Sequence, residues 1–268
     1  MKHLSFLPKS PSLIGMVHLK ALPGSPGFQG NMDRVLEQAV SDARTLETGG
    51  GHALIIENFW DSPFPRTQSP PITVSAVTVC VKEIQRNCSI PVGINILRND
   101  AVSALSVAAA ASAAFIRVNV LTYAMVTDQG IIEGCSYELS RLKAALGSKV
   151  AVFADVMVKH AAPVSGFTLE TAAIDTAERG GADALIVSGS GTGRPITLDD
   201  ARRIKEAVPG IPLASGSGIT PETIPDFLPY IDIFIIGTAL KKEGRIENPV
   251  DPERVKTFSR MLEKGMRK

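Results

Sequence analysis

The feature that most constrains this chain is an alternation. Short apolar runs rich in Val and Ile recur eight times, at 13–18, 53–57, 92–95, 115–119, 150–155, 184–188, 211–215 and 231–237, with helical segments between them. A nearly continuous apolar run of that length reads as a strand covered on both faces, and strands that alternate with helices read as a parallel sheet. Between the first two runs, Val35, Leu36, Ala39, Val40, Ala43 and Leu46 recur at helical spacing, and Gly49-Gly50-Gly51 follows where a left-handed C-terminal cap belongs. Thr168 supplies an N-cap for a second such helix over 168–179, which Gly180-Gly181 ends. Eight units in about 250 residues are the size of a closed (β/α)8 TIM barrel, here expected as one domain over 1–268. An open doubly wound sheet would more often show an early Gly-x-Gly-x-x-Gly turn, which His18-Leu19-Lys20-Ala21-Leu22-Pro23-Gly24 does not supply. A faint internal echo, Gly50-Gly51-His52-Ala53-Leu54-Ile55-Ile56 against Gly180-Gly181-Ala182-Asp183-Ala184-Leu185-Ile186, spans four units and supports the count of eight.

Composition narrows the class. With 44% hydrophobic and 21% charged residues, the chain can bury a large core. Lys and Arg total 28 against 27 for Asp and Glu, so no field of one sign is available for nucleic acid, and nucleic-acid binding is not expected. Three cysteines without a Cys-x-x-Cys spacing argue against a disulfide framework and a thiolate zinc site, and a reducing cytoplasm is the expected location. No signal peptide or transmembrane run is read from the sequence.

In a barrel of this kind, chemistry sits where the strands end. The polar residues that close the apolar runs are therefore the candidates. Glu57 and Asp155 are carboxylates suited to general acid or base work, and His18, Lys159 and His160 lie at or just beyond strand ends. A structural ion pair between such a carboxylate and Arg117 or Lys159 is the alternative reading. Asn95, Arg117, Asn119, Asp128 and Ser188 are candidate substrate-binding groups, with Arg98 and Asn99 on the same rim. The last three strands end in glycine with hydroxyls, in Ser188-Gly189-Ser190-Gly191-Thr192-Gly193, Ser215-Gly216-Ser217-Gly218 and Gly237-Thr238. Gly189, Gly191, Gly216, Ser217, Gly218, Gly237 and Thr238 are the expected phosphate cradle, since barrels often hold phosphate after strands seven and eight. No cofactor is required. A divalent metal on His18 or His160 with Glu57 or Asp155 is an open alternative, but it matches no local ligand motif. The connection at 120–136 is long enough to be a lid or binding loop, and Phe59, Trp60 and Phe64 are placed to cover the mouth.

Several segments in one order resemble the BtpA family: Ile14-Gly15-Met16-Val17-His18-Leu19-Lys20, Glu57-Asn58-Phe59, Pro91-Val92-Gly93-Ile94-Asn95-Ile96-Leu97-Arg98-Asn99-Asp100, Phe115-Ile116-Arg117-Val118-Asn119, Asp155-Val156-Met157-Val158-Lys159-His160 and Ser188-Gly189-Ser190-Gly191-Thr192-Gly193. The resemblance runs over nearly the whole chain. It implies a (β/α)8 barrel similar to the ribulose-phosphate-binding barrels, in a family named for biogenesis or stability of photosystem I. It carries no catalytic residues. Two expectations follow. One is an enzyme or binding protein for a small phosphorylated metabolite, a sugar phosphate or a nucleotide-derived compound, acting as isomerase, lyase or hydrolase. The other is a non-catalytic peripheral factor for a membrane protein complex. Near-neutral charge and the alanine-rich segment 101–114 also suit a homo-oligomer.

Overall fold

The computed structural model describes residues 4–8, 11–158, 160–189 and 196–265. The strands are β1 (Ser12–His18), β2 (Ala53–Glu57), β3 (Val92–Asn95), β4 (Phe115–Val118), β5 (Ala124–Thr127), β6 (Gly130–Glu133), β7 (Ala151–Asp155), β8 (Ala161–Pro163), β9 (Ala184–Val187), β10 (Leu213–Ser215) and β11 (Ile233–Ile236). Eight of them close into a parallel barrel in the order β1-β11-β10-β9-β7-β4-β3-β2, and all eight expected runs are barrel strands. The helices are α1 (Met32–Thr48), α2 (Pro71–Asn87), α3 (Ala101–Ala111), α4 (Ser136–Ala145), α5 (Leu169–Glu178), α6 (Leu198–Ala207), α7 (Ile224–Phe227) and α8 (Pro252–Gly265).

Local chemistry sets the boundaries. Asn31 caps α1 by accepting from the Arg34 N–H at 3.1 Å, and Thr168 caps α5 by accepting from the Thr171 N–H at 3.1 Å. At the end of α1 the left-handed residue is Gly50, φ +95°, while Gly49 stays right-handed. The seventh strand begins two residues later than the sequence run, at Leu213, because Pro212 has no N–H to give to the ladder. Alanines of α3 (Ala101, Ala104, Ala108 and Ala111) are buried and bring the helix close to β3 and β4, while Ala109 is half-buried and Ala110 exposed.

Side chains alternate along each strand. The outward set packs against the helices. The inward set fills the barrel with Ile14, Met16, Ile55, Phe115, Phe153, Ile186 and Ile235. Each such side chain contributes about 1.5–3 kcal/mol by burial. Phe6, from the segment before β1, stacks on Phe115 at 5.4 Å and lies 6.4 Å from Phe153, closing the N-terminal end. Gly93 leaves room for the Phe115 ring: a Cβ there would meet it at 2.3 Å.

The long connection at 120–136 is not an open loop. It folds into the antiparallel hairpin β5–β6, turning at Asp128-Gln129, and β8 adds to the other edge of β5. Met125 and Ile132 face inward with Val120 and Val158 as a small separate core, while Val126 and Ile131 face out. Among the described residues, no helix is long and apolar enough to cross a membrane.

Candidate functional site

Inward-pointing positions at the C-terminal strand ends change from apolar to polar. One step beyond Met16, Ile55, Phe115 and Phe153, with the strand period of two, stand His18, Glu57, Arg117 and Asp155. His18, Glu57 and Arg117 border a cavity of about 820 Å3 that opens at this end of the barrel, with Asp155 behind Arg117. His18, Glu57, Arg117 and Asn119 line it from the first half of the barrel, and Gly216, Ser217, Gly218, Gly237 and Thr238 from the last strands. Asp128, Gln129, Val158 and His160 contribute from the hairpin and the segment before β8, while Phe59, Phe64, Leu97, Ile219 and Ile246 give an apolar share of the wall.

Asp155 organises the charged side. It is buried and accepts from Arg117 Nε and Nη2 (3.0 Å each), from Asn119 Nδ2 at 3.0 Å and from Ser188 Oγ at 3.2 Å. The structural ion pair is thus present, in bidentate form. Burial opposes the Arg117 charge, but Asp155 more than offsets this and holds the guanidinium above its ordinary pKa. Glu57 is different. It accepts one hydrogen bond, from Asn95 Nδ2 at 2.7 Å, and burial raises its pKa against the opposing influence of Arg117 and Asn95. His18 stands beside Glu57 in the β1–β2 register, with its ring edge on Phe59 at 5.0 Å. Burial, reinforced by Lys241 and Arg117, pushes its pKa down to about 3, so the imidazole is neutral at physiological pH. Lys241 is itself fully buried and donates to Asp42 at 2.6 Å.

Several expected site residues take other places. Asn95 lies behind the wall and orients Glu57. Ser188 contacts Asp155 and, with buried Gly189, is not among the residues that line the cavity. Asn99 is structural: it bonds both the N–H and the C=O of Val120, at 2.8 and 2.9 Å, and so anchors the start of the hairpin connection. Trp60 is exposed and outside the cavity, although Phe59 and Phe64 do border it. Asp128 and His160 line the cavity but are solvent-exposed. Lys159 and Gly191 lie outside the described residues. The N–H of Gly216 is committed to the Val187 C=O at 2.8 Å, so that glycine contributes space; a Cβ there would meet Ser188 Oγ at 2.2 Å. Sequence reasoning passed over Gln129, Ile219 and Ile246, which carried no sign of facing a common space.

Four residues of the cavity wall bear buried polar atoms without a hydrogen-bond partner among the described residues: His18 Nδ1, Asn119 Oδ1, Gln129 Oε1 and Ser217 Oγ. Buried polar atoms are ordinarily paired, and each unpaired one costs about 1–3 kcal/mol. Among the described residues no group of three His, Cys, Asp or Glu side chains is arranged to hold a metal ion, so the His18 and His160 ligand set has no support from the geometry.

The chain is 49% identical over 244 residues to an uncharacterised protein of Thermococcus kodakarensis, covering 91% of this chain and 92% of that protein. It is 45% identical over 255 residues to the photosystem I biogenesis protein BtpA of Synechocystis, covering 95% and 89%. Among solved structures it is similar to N-(5'-phosphoribosyl)anthranilate isomerase of Pyrococcus furiosus, with a TM-score of 0.57, 14% identity and coverage of 95% of this chain and 99% of that one. At that identity the likeness is one of fold alone. The sequence profile of the BtpA family matches residues 9–264.

Proposed function

The chain belongs to the BtpA family, and from that premise we propose that it binds a small phosphorylated metabolite at the C-terminal mouth of its barrel. One observation carries this reading: the side chains of His18, Asn119, Gln129 and Ser217, whose buried polar atoms are unsatisfied among the described residues, all line a single cavity, whose wall is part polar or charged and part apolar. A scaffold has no use for unpaired buried polar groups, whereas a ligand that supplies the missing hydrogen bonds repays their cost. The phosphate belongs with Ser217, Gly218, Gly237 and Thr238, where glycines keep side chains away from the backbone, and Gly216 keeps that wall clear. The remainder of the ligand lies between Glu57, His18 and Arg117 on one side and Phe59 and Phe64 on the other. A cavity of about 820 Å3 has room for a sugar phosphate or a nucleotide-derived compound.

A second reading has a named relative behind it. The Synechocystis protein, 45% identical, is a photosystem I biogenesis protein, whereas the similar barrel enzymes share only the fold. A peripheral role in assembling a membrane protein complex is therefore the better supported of the two by relationship, and ligand binding by geometry. The two are compatible if the ligand reports metabolic state to the partner.

A thermal-shift screen with inorganic phosphate, sugar phosphates and nucleotides separates them. Binding at a hundredfold excess over Kd stabilises the folded state by about 2.7 kcal/mol. The shift is expected for at least one phosphorylated compound and is lost in Gly216→Asp, whose side chain enters at Ser188. No shift with any compound removes the ligand reading and leaves the assembly role.

A further inference from the structure

The two buried carboxyl groups at the mouth are not equivalent, and their difference assigns a role within the ligand reading above, on which this inference rests. Asp155 is engaged on both oxygens by Arg117, Asn119 and Ser188, four hydrogen bonds in all. It is a positioning residue. Glu57 borders the cavity and, among the described residues, is held by one bond to Oε1, which leaves its second oxygen for a ligand. Two different groups flank it. Arg117 gives only Nε and Nη2 to Asp155, and its remaining N–H groups are uncommitted among the described residues. His18, in register with Glu57, presents a buried Nδ1 that has no partner among the described residues.

We propose that Glu57 is the group that moves protons in this site, taking one from a carbon next to the carbonyl of a phosphorylated aldose or ketose while Arg117 holds the carbonyl oxygen. The proton passes to the Glu57 carboxylate. The C–H electron pair becomes the new C=C bond, and the carbonyl π pair moves onto oxygen to give an enediolate. His18 carries the hydroxyl proton between the two oxygens. Glu57 then returns its proton to the neighbouring carbon, the C=C pair forms the new C–H bond, and a carbonyl re-forms one carbon along. Atoms and electrons balance without oxidant, reductant or second substrate.

The surroundings fit the roles. A fixed cation at the developing oxyanion and a neutral imidazole beside a carboxylate base form a set that stabilises an enediolate. Burial raises the Glu57 pKa, which makes its carboxylate a stronger base, and keeps His18 neutral. The charged and titratable groups that act on Glu57 or adjoin it are Arg117 on β4, Arg98 after β3, Asp155 on β7 and His18 on β1.

The test incubates the protein in D2O with a panel of three- to six-carbon aldose and ketose phosphates, reads C–H to C–D exchange by NMR, and measures the thermal shift with the same compounds. Exchange is expected in at least one compound that binds, rising with pH as Glu57 ionises. Glu57→Gln is expected to lose about 100-fold or more of that rate while still being stabilised by the compound. Binding without exchange, or exchange in Glu57→Gln within about tenfold of the original rate, overturns the proton-transfer role and leaves the ligand reading intact. A panel with no binding overturns both. Should Glu57→Gln not fold, Glu57→Asp, which withdraws the carboxyl by one methylene, is expected to slow exchange about tenfold or more, and an unchanged rate overturns the role.

Discussion

The two ends of the barrel interior are built on the same eight strands and differ completely. At the N-terminal end Phe6, Phe115 and Phe153 stack into a plug among apolar inward side chains such as Ile14, Ile55 and Ile233. At the C-terminal end, one alternation further along, the inward positions are His18, Glu57, Arg117 and Asp155. The plug is complete in itself. Among the described residues the mouth leaves four buried polar atoms unsatisfied, so it is stabilised less than a core of equal size and retains hydrogen-bonding capacity for a ligand. The same fold thus places stability at one end and chemistry at the other.

The largest effects come from disrupting each end in turn. Arg117→Ala leaves Asp155 as an uncompensated buried carboxylate and is expected to lower stability by about 3–5 kcal/mol in urea unfolding, and to abolish ligand-induced stabilisation. Phe115→Ala opens a cavity in the plug at a cost of about 3–5 kcal/mol, but ligand-induced stabilisation persists. If Phe115→Ala also lost binding, the two ends would not be independent.

Titration sharpens the contrast, because the plug residues Phe6, Phe115 and Phe153 do not ionise, whereas at the mouth His18 and Glu57 are shifted in opposite directions. The His18 pKa is depressed to about 3. Its contribution is therefore present above the unfolded value of about 6.5 and is lost as pH falls toward 3, with a slope of up to about 1.4 kcal/mol per pH unit. Glu57 has a raised pKa. Its contribution is present below the unfolded value and is lost as pH rises through the folded one. Denaturant titrations across pH are expected to show His18→Gln flattening the acid limb and Glu57→Gln flattening the opposing change at higher pH.

Smaller effects follow from space and from the lid. Gly216→Ala places a Cβ against Ser188 and Ile186 and is expected to cost about 1–3 kcal/mol while weakening ligand binding. Val126→Ser, on the outward face of the hairpin, is expected to change stability by less than about 0.5 kcal/mol and to leave ligand binding unaltered.

The barrel was legible in the sequence because each strand is buried on both faces, so its apolar run is uninterrupted and its end is marked by the first polar inward residue. Glu57 and Asp155 could be placed on the rim for that reason. Their unequal roles could not be read, since Arg117 and Asp155 lie 38 residues apart, as do Glu57 and Asn95, and only the parallel pairing of β4 with β7 and of β2 with β3 brings them together. The 120–136 connection was expected as a lid or binding loop, but its pairing into a three-stranded sheet was missed because β8 is Ala161-Ala162-Pro163, a segment with no strand signal that pairs only through β5. The Phe6 plug escaped notice for a similar reason: an aromatic residue before the first strand gives no indication of which end it closes.

Isothermal titration with matched compounds, a sugar phosphate and the same sugar without its phosphate, tests the central claim most directly. A ligand held by the Ser217, Gly218, Gly237 and Thr238 wall is expected to bind about 100-fold or more tightly with its phosphate than without it, a difference of about 2.7 kcal/mol or more, and Gly216→Asp is expected to abolish the difference. Equal affinity for the two forms, or binding unchanged in Gly216→Asp, would contradict the assignment of the mouth as a phosphate-binding site.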